Sequence, residues 1–470
     1  MTQMLKWSAI LILGAITMSS AAAQNAPKYL KVGAAVADST PVKFPVIVNG
    51  GFLPHLESVV HDPLHVRALC IDDGTTCVLL GTADVCVLPE DVVSQVKDGI
   101  CAKIDIPREN IEISSTHCHS APSLAALLGV PRDETYVPYF IQKAVEAYVA
   151  AYNNRTDARM AAAIDFDPDN VYCRRFLMKE GKAWTQNRDF TGSKGDRAQM
   201  NPGTKIGDAV CRTGIPNPIV SVVAFQTPDG KPLALLANYS THYAGAPNLS
   251  ADYFGVFAEE MRQRLGADEN FVAIMTNGTS GDTNCIDFYN VNRKFDMYSV
   301  GKSVADAAQR ACAKMEFVDW APLRMTQCEF PVRIRKGTPE QVALAKAHLT
   351  SIHNEVKDVN DAYALQTVKL SELPDERVLT LQSLRLGDVG IAFLPNETYS
   401  ATGHGIRSES PAPLTFVVSM ANGYAGYLPT EGDFELGGYT TWRAMSSCCE
   451  PAAEGKIRAK LVELLKKVSE

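Results

Sequence analysis

Residues 76–120 read TCVLLGTADVCVLPEDVVSQVKDGICAKIDIPRENIEISSTHCHS, and the fold class follows from this stretch. Residues 76–84 are a nearly continuous apolar run of strand length, as expected for a strand buried on both faces. A helix is expected over residues 90–104, begun after Pro89, and a second strand over residues 110–116. Strand, helix and strand in succession indicate an α/β protein.

The same alternation continues outward. A helix is expected over 138–152, with Pro138 at the first helical position, where its missing N–H costs nothing. Residues 218–226 and 232–239 flank Asp229-Gly230, a strong hairpin signal. A helix over 251–265 and a strand over 271–276 follow, then late strands over 389–394 and 415–420. The chain closes on an amphipathic helix, with Ile457, Leu461, Leu464, Leu465 and Val468 on one face of a 3.6-residue repeat. No internal repeat or Pro/Ser-rich linker divides the sequence. The expectation is an α/β fold of mixed β-sheets flanked by helices, forming a single large catalytic domain over residues 28–470.

Residues 1–23 read as a signal peptide. Lys6 supplies the positive start, residues 8–18 the short apolar segment, and Ala21-Ala22-Ala23 the small-residue cleavage site. No later run is long and apolar enough to span a bilayer, so a soluble secreted or periplasmic protein with no transmembrane segment after cleavage is expected. The formal net charge of −8 argues against a nucleic-acid partner, which would need a basic face. Twelve cysteines in an exported chain permit disulfides, but pairing is not readable from spacing. Cys70, Cys77 and Cys86 lie in apolar strand-like runs and read as buried thiols. Cys448 and Cys449 are adjacent, and joining them to each other would be strained.

Polar residues gather where apolar strands end. His117 and His119 follow the strand 111–114; residues two apart on a strand share a face, so both imidazoles would point the same way. Such a pair suits a metal or a proton relay, or is simply two satisfied histidines. Asn238-Tyr239-Ser240-Thr241-His242 ends a second apolar run, Pro395-Asn396-Glu397 a third, and Asn422-Gly423-Tyr424-Ala425-Gly426-Tyr427 a fourth. Ligands of α/β sheets gather at the carboxyl ends of strands. Two histidines and a glutamate also form a known catalytic zinc set with an open position for water.

Taken in order along the chain, these segments resemble the neutral, non-lysosomal ceramidases. The resemblance begins at Val32-Gly33-Ala34-Ala35 and continues through residues 61–68, HDPLHVRA. STHCHS at 115–120 is similar to the family's T-H-T-H-S-G, NYSTH at 238–242 to its second histidine motif, and NGYAGY at 422–427 to its N-x-Y-x-x-Y. The resemblance implies zinc on His117, His242, Glu397 and Tyr427. It implies His119 and Arg174 (with Arg175 as the alternative) facing the substrate, and catalytic roles for His119, Tyr427 and Arg174. It further implies hydrolysis of the amide bond of ceramide or a related small-molecule or lipid N-acyl substrate by water activated on zinc.

Two departures stand out. Gly281-Asp282-Thr283-Asn284-Cys285 places Asn284, a substrate-binding candidate, where the family carries an active-site serine. The family's C-terminal β-sandwich has no counterpart in this sequence. An esterase or lactonase using the same water, and a non-catalytic exported binding protein, are the alternatives. A serine nucleophile fits less well, because Gly278-Thr279-Ser280-Gly281-Asp282 lacks the spacing of a G-x-S-x-G elbow. Phosphate-cradling loops of the Walker type are absent.

Overall fold

The computed structural model describes residues 29–290 and 292–470; the leader-like residues 1–23 lie outside them. Two β-sheets face each other. The larger has eight strands in the order Val272–Asn277, Pro232–Tyr239, Ile219–Gln226, Thr156–Phe166, Leu30–Asp38, His65–Asp72, Cys77–Ala83 and Ser114–Ser115. The smaller runs Leu323–Arg333, Glu376–Leu386, Val389–Leu394 and Leu414–Ser419. Both are mixed. Val389–Leu394 pairs in parallel with Leu414–Ser419, and Pro232–Tyr239 with Val272–Asn277, while most other ladders are antiparallel.

Alternation along each strand builds a four-layer stack. On His65–Asp72, Leu69 and Ile71 join Leu384, Ile391, Phe393 and Phe416 of the smaller sheet in the central core. Val66, Ala68 and Cys70 point the other way, against Val92, Val96, Phe140 and Ala144 of helices Glu90–Cys101 and Val137–Asn153. Helices Asp252–Arg264 and Met297–Cys312 pack against the part of the larger sheet built by Ile219–Gln226, Pro232–Tyr239 and Val272–Asn277. The closing helix, Ala453–Ser469, covers the smaller sheet with Ile457, Leu461, Leu464 and Leu465. Each such side chain contributes about 1.5–3 kcal/mol when fully buried.

Most expected elements are present within a residue or two. Pro89 precedes the helix Glu90–Cys101, and the hairpin turns at Gly230, whose φ of +93° suits glycine. One expectation needs correction. Residues 110–116 are not a continuous strand: a 3-10 turn spans Arg108–Asn110, Ile111 makes an isolated bridge to Leu79, and only Ser114–Ser115 is strand. The segment is shared between the two sheets, because Ser114 also bridges Ala421 beside the smaller one. Its backbone groups are satisfied alternately on either side, so no single ladder runs its length.

The covering helix supplies a stability test. Leu461→Ala removes a fully buried side chain from the layer over the smaller sheet. Urea denaturation should show a loss of about 2–5 kcal/mol, the usual range for a core Leu→Ala change.

Candidate active site

The carboxyl ends of strands from both sheets meet at one edge of the stack. His242 lies just beyond Pro232–Tyr239, and Glu397 just beyond Val389–Leu394. Tyr427 starts the two-residue strand Tyr427–Leu428, which pairs in parallel with Glu397–Thr398. Gly426, at φ +74°, allows that approach: a Cβ there would sit 2.4 Å from the carbonyl carbon of Ser446.

His117 is held in an unusual way. Its φ is +64°, a left-handed conformation that few non-glycine residues adopt. Its amide donates to the Val85 carbonyl at 3.0 Å, and its Nδ1 lies 2.7 Å from the Cys86 carbonyl. These contacts bring His117 Nε2 within 3.1 Å of His119 Nε2. The two rings therefore converge because the backbone turns at His117, and not because a strand places them on one face. That corrects the sequence expectation.

Three buried groups then point at one another. His117 Nε2 lies 3.3 Å from Glu397 Oε2, and ligand atoms of His117, His242 and Glu397 all fall within 4.8 Å. His242 Nδ1 lies 3.2 Å from the Ser280 carbonyl, with Arg174 Nη2 at 3.5 Å, while its buried Nε2 has no partner. Tyr424 donates to Glu397 Oε1 at 2.6 Å, while Oε2 has no partner beyond the facing His117 Nε2. Buried acceptors without donors are costly, and a cation between them satisfies both. The residues present thus fit a metal ion. Cys86, His117 and His119 form a second possible set. The first set fits better: with Nδ1 turned to the Cys86 carbonyl, His117 presents Nε2, its ligating atom once deprotonated, toward His242 and Glu397.

Charge follows from this crowding. Burial disfavours the His117 imidazolium, but the Cys86 sulfur and the Glu397 carboxylate outweigh it and raise the His117 pKa to about 10. Burial, with His117 and Arg174 nearby, holds His119 well below the ordinary histidine range. His242 is depressed in the same way, by burial and then by Arg174. Burial drives the Tyr427 hydroxyl well above its usual value, with the Glu397 charge adding to it. Burial raises the Glu397 carboxyl, yet His117 beside it brings the net pKa below normal.

The two candidate arginines separate cleanly. Arg174 Nη2 donates to the Tyr427 hydroxyl at 3.2 Å and to the Gly281 carbonyl at 3.0 Å, and the side chain lines the cavity. Arg175 turns away to pair with Asp433 at 2.6 Å and to cap the Gly437 carbonyl. Asn284 stands one step back from where the sequence suggested. It is not among the lining residues; its Nδ2 donates to Asn201 Oδ1 at 3.1 Å, and Asn201 lines the cavity. Asn284 therefore reaches the cavity only through Asn201.

The cavity measures about 190 Å³ and contains His117, His119, Glu397 and Tyr427, with His242 behind them. Several participants escaped the sequence reading. Tyr243 stacks on His119, ring centroids 3.9 Å apart, and follows His242 directly in the chain. Tyr424 lies within NGYAGY, but the spacing does not say which tyrosine serves the carboxylate. Gly50, at φ +117°, leaves room for the His119 ring, which a Cβ would meet at 2.5 Å. Asn201 and Gly50 sit in loops with no motif to mark them.

Sequence comparison matches no protein-family model and no curated protein. Solved structures do match. Neutral ceramidase from Pseudomonas aeruginosa superposes with a TM-score of 0.70 at 16% identity, over 94% of this chain and 74% of that one. This chain has the neutral ceramidase fold. A ceramidase complexed with C2 superposes equally well, at the same TM-score and identity, over 94% of this chain and 75% of that one. The neutral ceramidase fold is thus reached through mixed sheets and a single domain-sized unit, as the alternation of elements implied.

The contrast between the adjacent arginines is testable. Arg175→Met leaves Asp433 without its buried partner and should cost about 3–5 kcal/mol of stability. Arg174→Met removes a buried cation that has no carboxylate salt-bridge partner among the described residues and should cost clearly less. Chemical denaturation of both variants makes the comparison; equal losses would contradict the separation.

Proposed function

We propose that this chain is an exported zinc-dependent amidase that cleaves ceramide-like or shorter N-acyl compounds. The observation that carries the reading is the buried trio His117, His242 and Glu397, with orphaned Nε2 and Oε2 atoms, in a cavity beside His119. The neutral ceramidase fold and the resemblance of the motifs support the same reading. Export rests on the leader-like residues 1–23, in keeping with the finding that no helix among the described residues is long and apolar enough to cross a membrane.

His117, His242 and Glu397, with Tyr427 as fourth ligand, would hold the ion. When bound, zinc lowers the pKa of a coordinated water from about 15.7 toward about 7 and polarises a carbonyl oxygen. The remaining chemistry falls to side chains. His119, kept neutral by burial, accepts a proton at Nε2 from the attacking water and returns it to the departing nitrogen, which leaves as an amine. Tyr424 holds Glu397 in place through its hydroxyl. The Cys86 carbonyl fixes the His117 ring, the outer contact that orients a ligating imidazole. Arg174 stays charged in the buried site and, with the Tyr427 hydroxyl, faces the oxygen that gains negative charge. One such donor is worth about 2.7–4 kcal/mol.

Substrate size follows from the walls. Phe52, Leu127, Leu128 and Tyr363 form an apolar side, while Arg174 and Asn201 form a polar one. About 190 Å³ is below the roughly 300–1,000 Å³ typical of pockets that enclose drug-sized ligands. A short acyl group fits inside; a long chain must extend beyond it.

The purified chain should hold about one zinc, and His117→Ala and His242→Ala should each lose most of it by elemental analysis. Uptake must displace the proton that Glu397 and Cys86 hold on His117. Zinc binding should therefore release protons and weaken as pH falls, as read by chelator competition across pH 6–9. Full occupancy in both variants would refute the ligand set.

His119→Ala should retain its zinc while losing about 10²–10⁴-fold in rate on an N-acyl substrate, the usual worth of general acid–base catalysis. Metal loss matching that of His117→Ala would instead make His119 a ligand.

Comparing kcat/KM on short- and long-chain N-acyl sphingoid substrates, with matched esters alongside, tests the substrate class. Short-chain amides should be cut best, and Asn284→Ser should shift the preference toward longer chains through Asn201. Esters cut in preference to every amide would favour the esterase alternative.

A further inference from the structure

The hairpin of His65–Asp72 and Cys77–Ala83 carries two cysteines that the proposed chemistry does not use. Its register pairs Asp72 with Cys77 and Cys70 with Leu79, so the two cysteines are diagonal neighbours on one face. Their sulfurs lie 3.4 Å apart. We propose that Cys70 and Cys77 are a redox pair that closes to a disulfide in an oxidising compartment and staples this hairpin.

Geometry and surroundings favour the reaction. A disulfide needs its sulfurs at about 2.03–2.05 Å, so they must approach by a little over 1 Å. Cys77 is the first residue of its strand, beside the turn in which Asp73 caps the amides of Thr75 and Thr76, so the movement falls at a strand end. Cys70 is buried, but Cys77 is partly exposed and open to an oxidant. Arg155 Nη1 lies 3.3 Å from the Cys77 sulfur and pairs with Asp72 at 3.0 Å. The hydrogen bond with Cys70 and the Arg155 charge lower the Cys77 pKa, and the thiolate is the attacking species.

The step needs a disulfide of the glutathione class as oxidant. The Cys77 thiolate attacks one of its sulfurs, forming a mixed disulfide and expelling one thiolate. Cys70 then gives up its proton and attacks the Cys77 sulfur, expelling the second thiolate. Two protein thiols are oxidised and one small disulfide is reduced to two thiols. The second strand of the stapled hairpin runs on toward Cys86, whose carbonyl holds the His117 ring. Cys448 and Cys449 are a weaker candidate, because both are buried away from any oxidant.

Peptide mapping tests the pair in the full chain. The protein is equilibrated with oxidised glutathione or with dithiothreitol, denatured, alkylated with iodoacetamide and digested with trypsin without reduction. Residues 68–97 form one tryptic peptide carrying Cys70, Cys77 and Cys86. After oxidation it should carry one alkyl group, on Cys86, and two fewer hydrogens; after reduction it should carry three. Three alkyl groups in both samples, a retained glutathione on Cys77, or fragments that place Cys86 in the bond would each overturn the proposal. The oxidised protein should also melt a few degrees higher than the reduced one, with no such difference in Cys77→Ser. Equal melting of the two wild-type forms would rule out the staple.

Discussion

Ser114 and its neighbours tie the two sheets together, and the arrangement of the site depends on that tie. Ser114–Ser115 pairs in parallel with Cys77–Ala83, while Ser114 also bridges Ala421 next to the smaller sheet. The Asn422 amide donates to the Ile113 carbonyl at 2.8 Å, and the Ser115 amide to the Met420 carbonyl at 3.3 Å. These groups are buried, and a buried backbone group must find a partner or destabilise the fold. The sheets therefore cannot slide past each other, and the strand ends bearing His117, His242, Glu397 and Tyr427 stay in register.

Local strain accompanies that arrangement. A non-glycine residue in the left-handed region costs on the order of 1–3 kcal/mol, and persists only where its surroundings over-determine it. At His117 the amide is bound to Val85 and the ring to the Cys86 carbonyl, so two contacts compete with that cost. That turn and the neighbouring strand ends bring three imidazoles and a carboxylate together in one buried space. Cys86 and the Glu397 carboxylate raise His117 against its burial, while burial, with the like charges of His117 and Arg174, lowers His119 and His242. The proposed function gives groups driven apart in this way separate tasks, ligation for His117 and proton transfer for His119.

The polar side of the cavity shows how a buried residue can act through its neighbour. Asn284 is buried and spends its amide on Asn201 and its carbonyl oxygen on the Ile286 amide. It sets the Asn201 side chain, which is the one that meets the cavity. Fold likeness at 16% identity conveys the frame and not such details, because side chains lining the cavity can change while the strands stay in place.

Local pattern alone determined the α/β class and most of the elements expected from it. Apolar runs and the 3.6-residue stripe at Ile457, Leu461 and Leu464 reflect which face is buried, and that preference is written residue by residue. The polar residues at strand ends were legible for the same reason, since His242 and Glu397 follow apolar runs that stop abruptly. Tertiary structure decided what local pattern could not contain. Residues 110–116 divide their hydrogen bonds between two sheets, so neither strand periodicity nor strand length describes them. The turn at His117, the choice of Arg174 over Arg175, the retreat of Asn284 behind Asn201 and the approach of Tyr243 and Gly50 to His119 all rest on contacts between segments far apart in the chain. Such contacts depend on where the sheets stack, a property of the whole core rather than of any window of sequence.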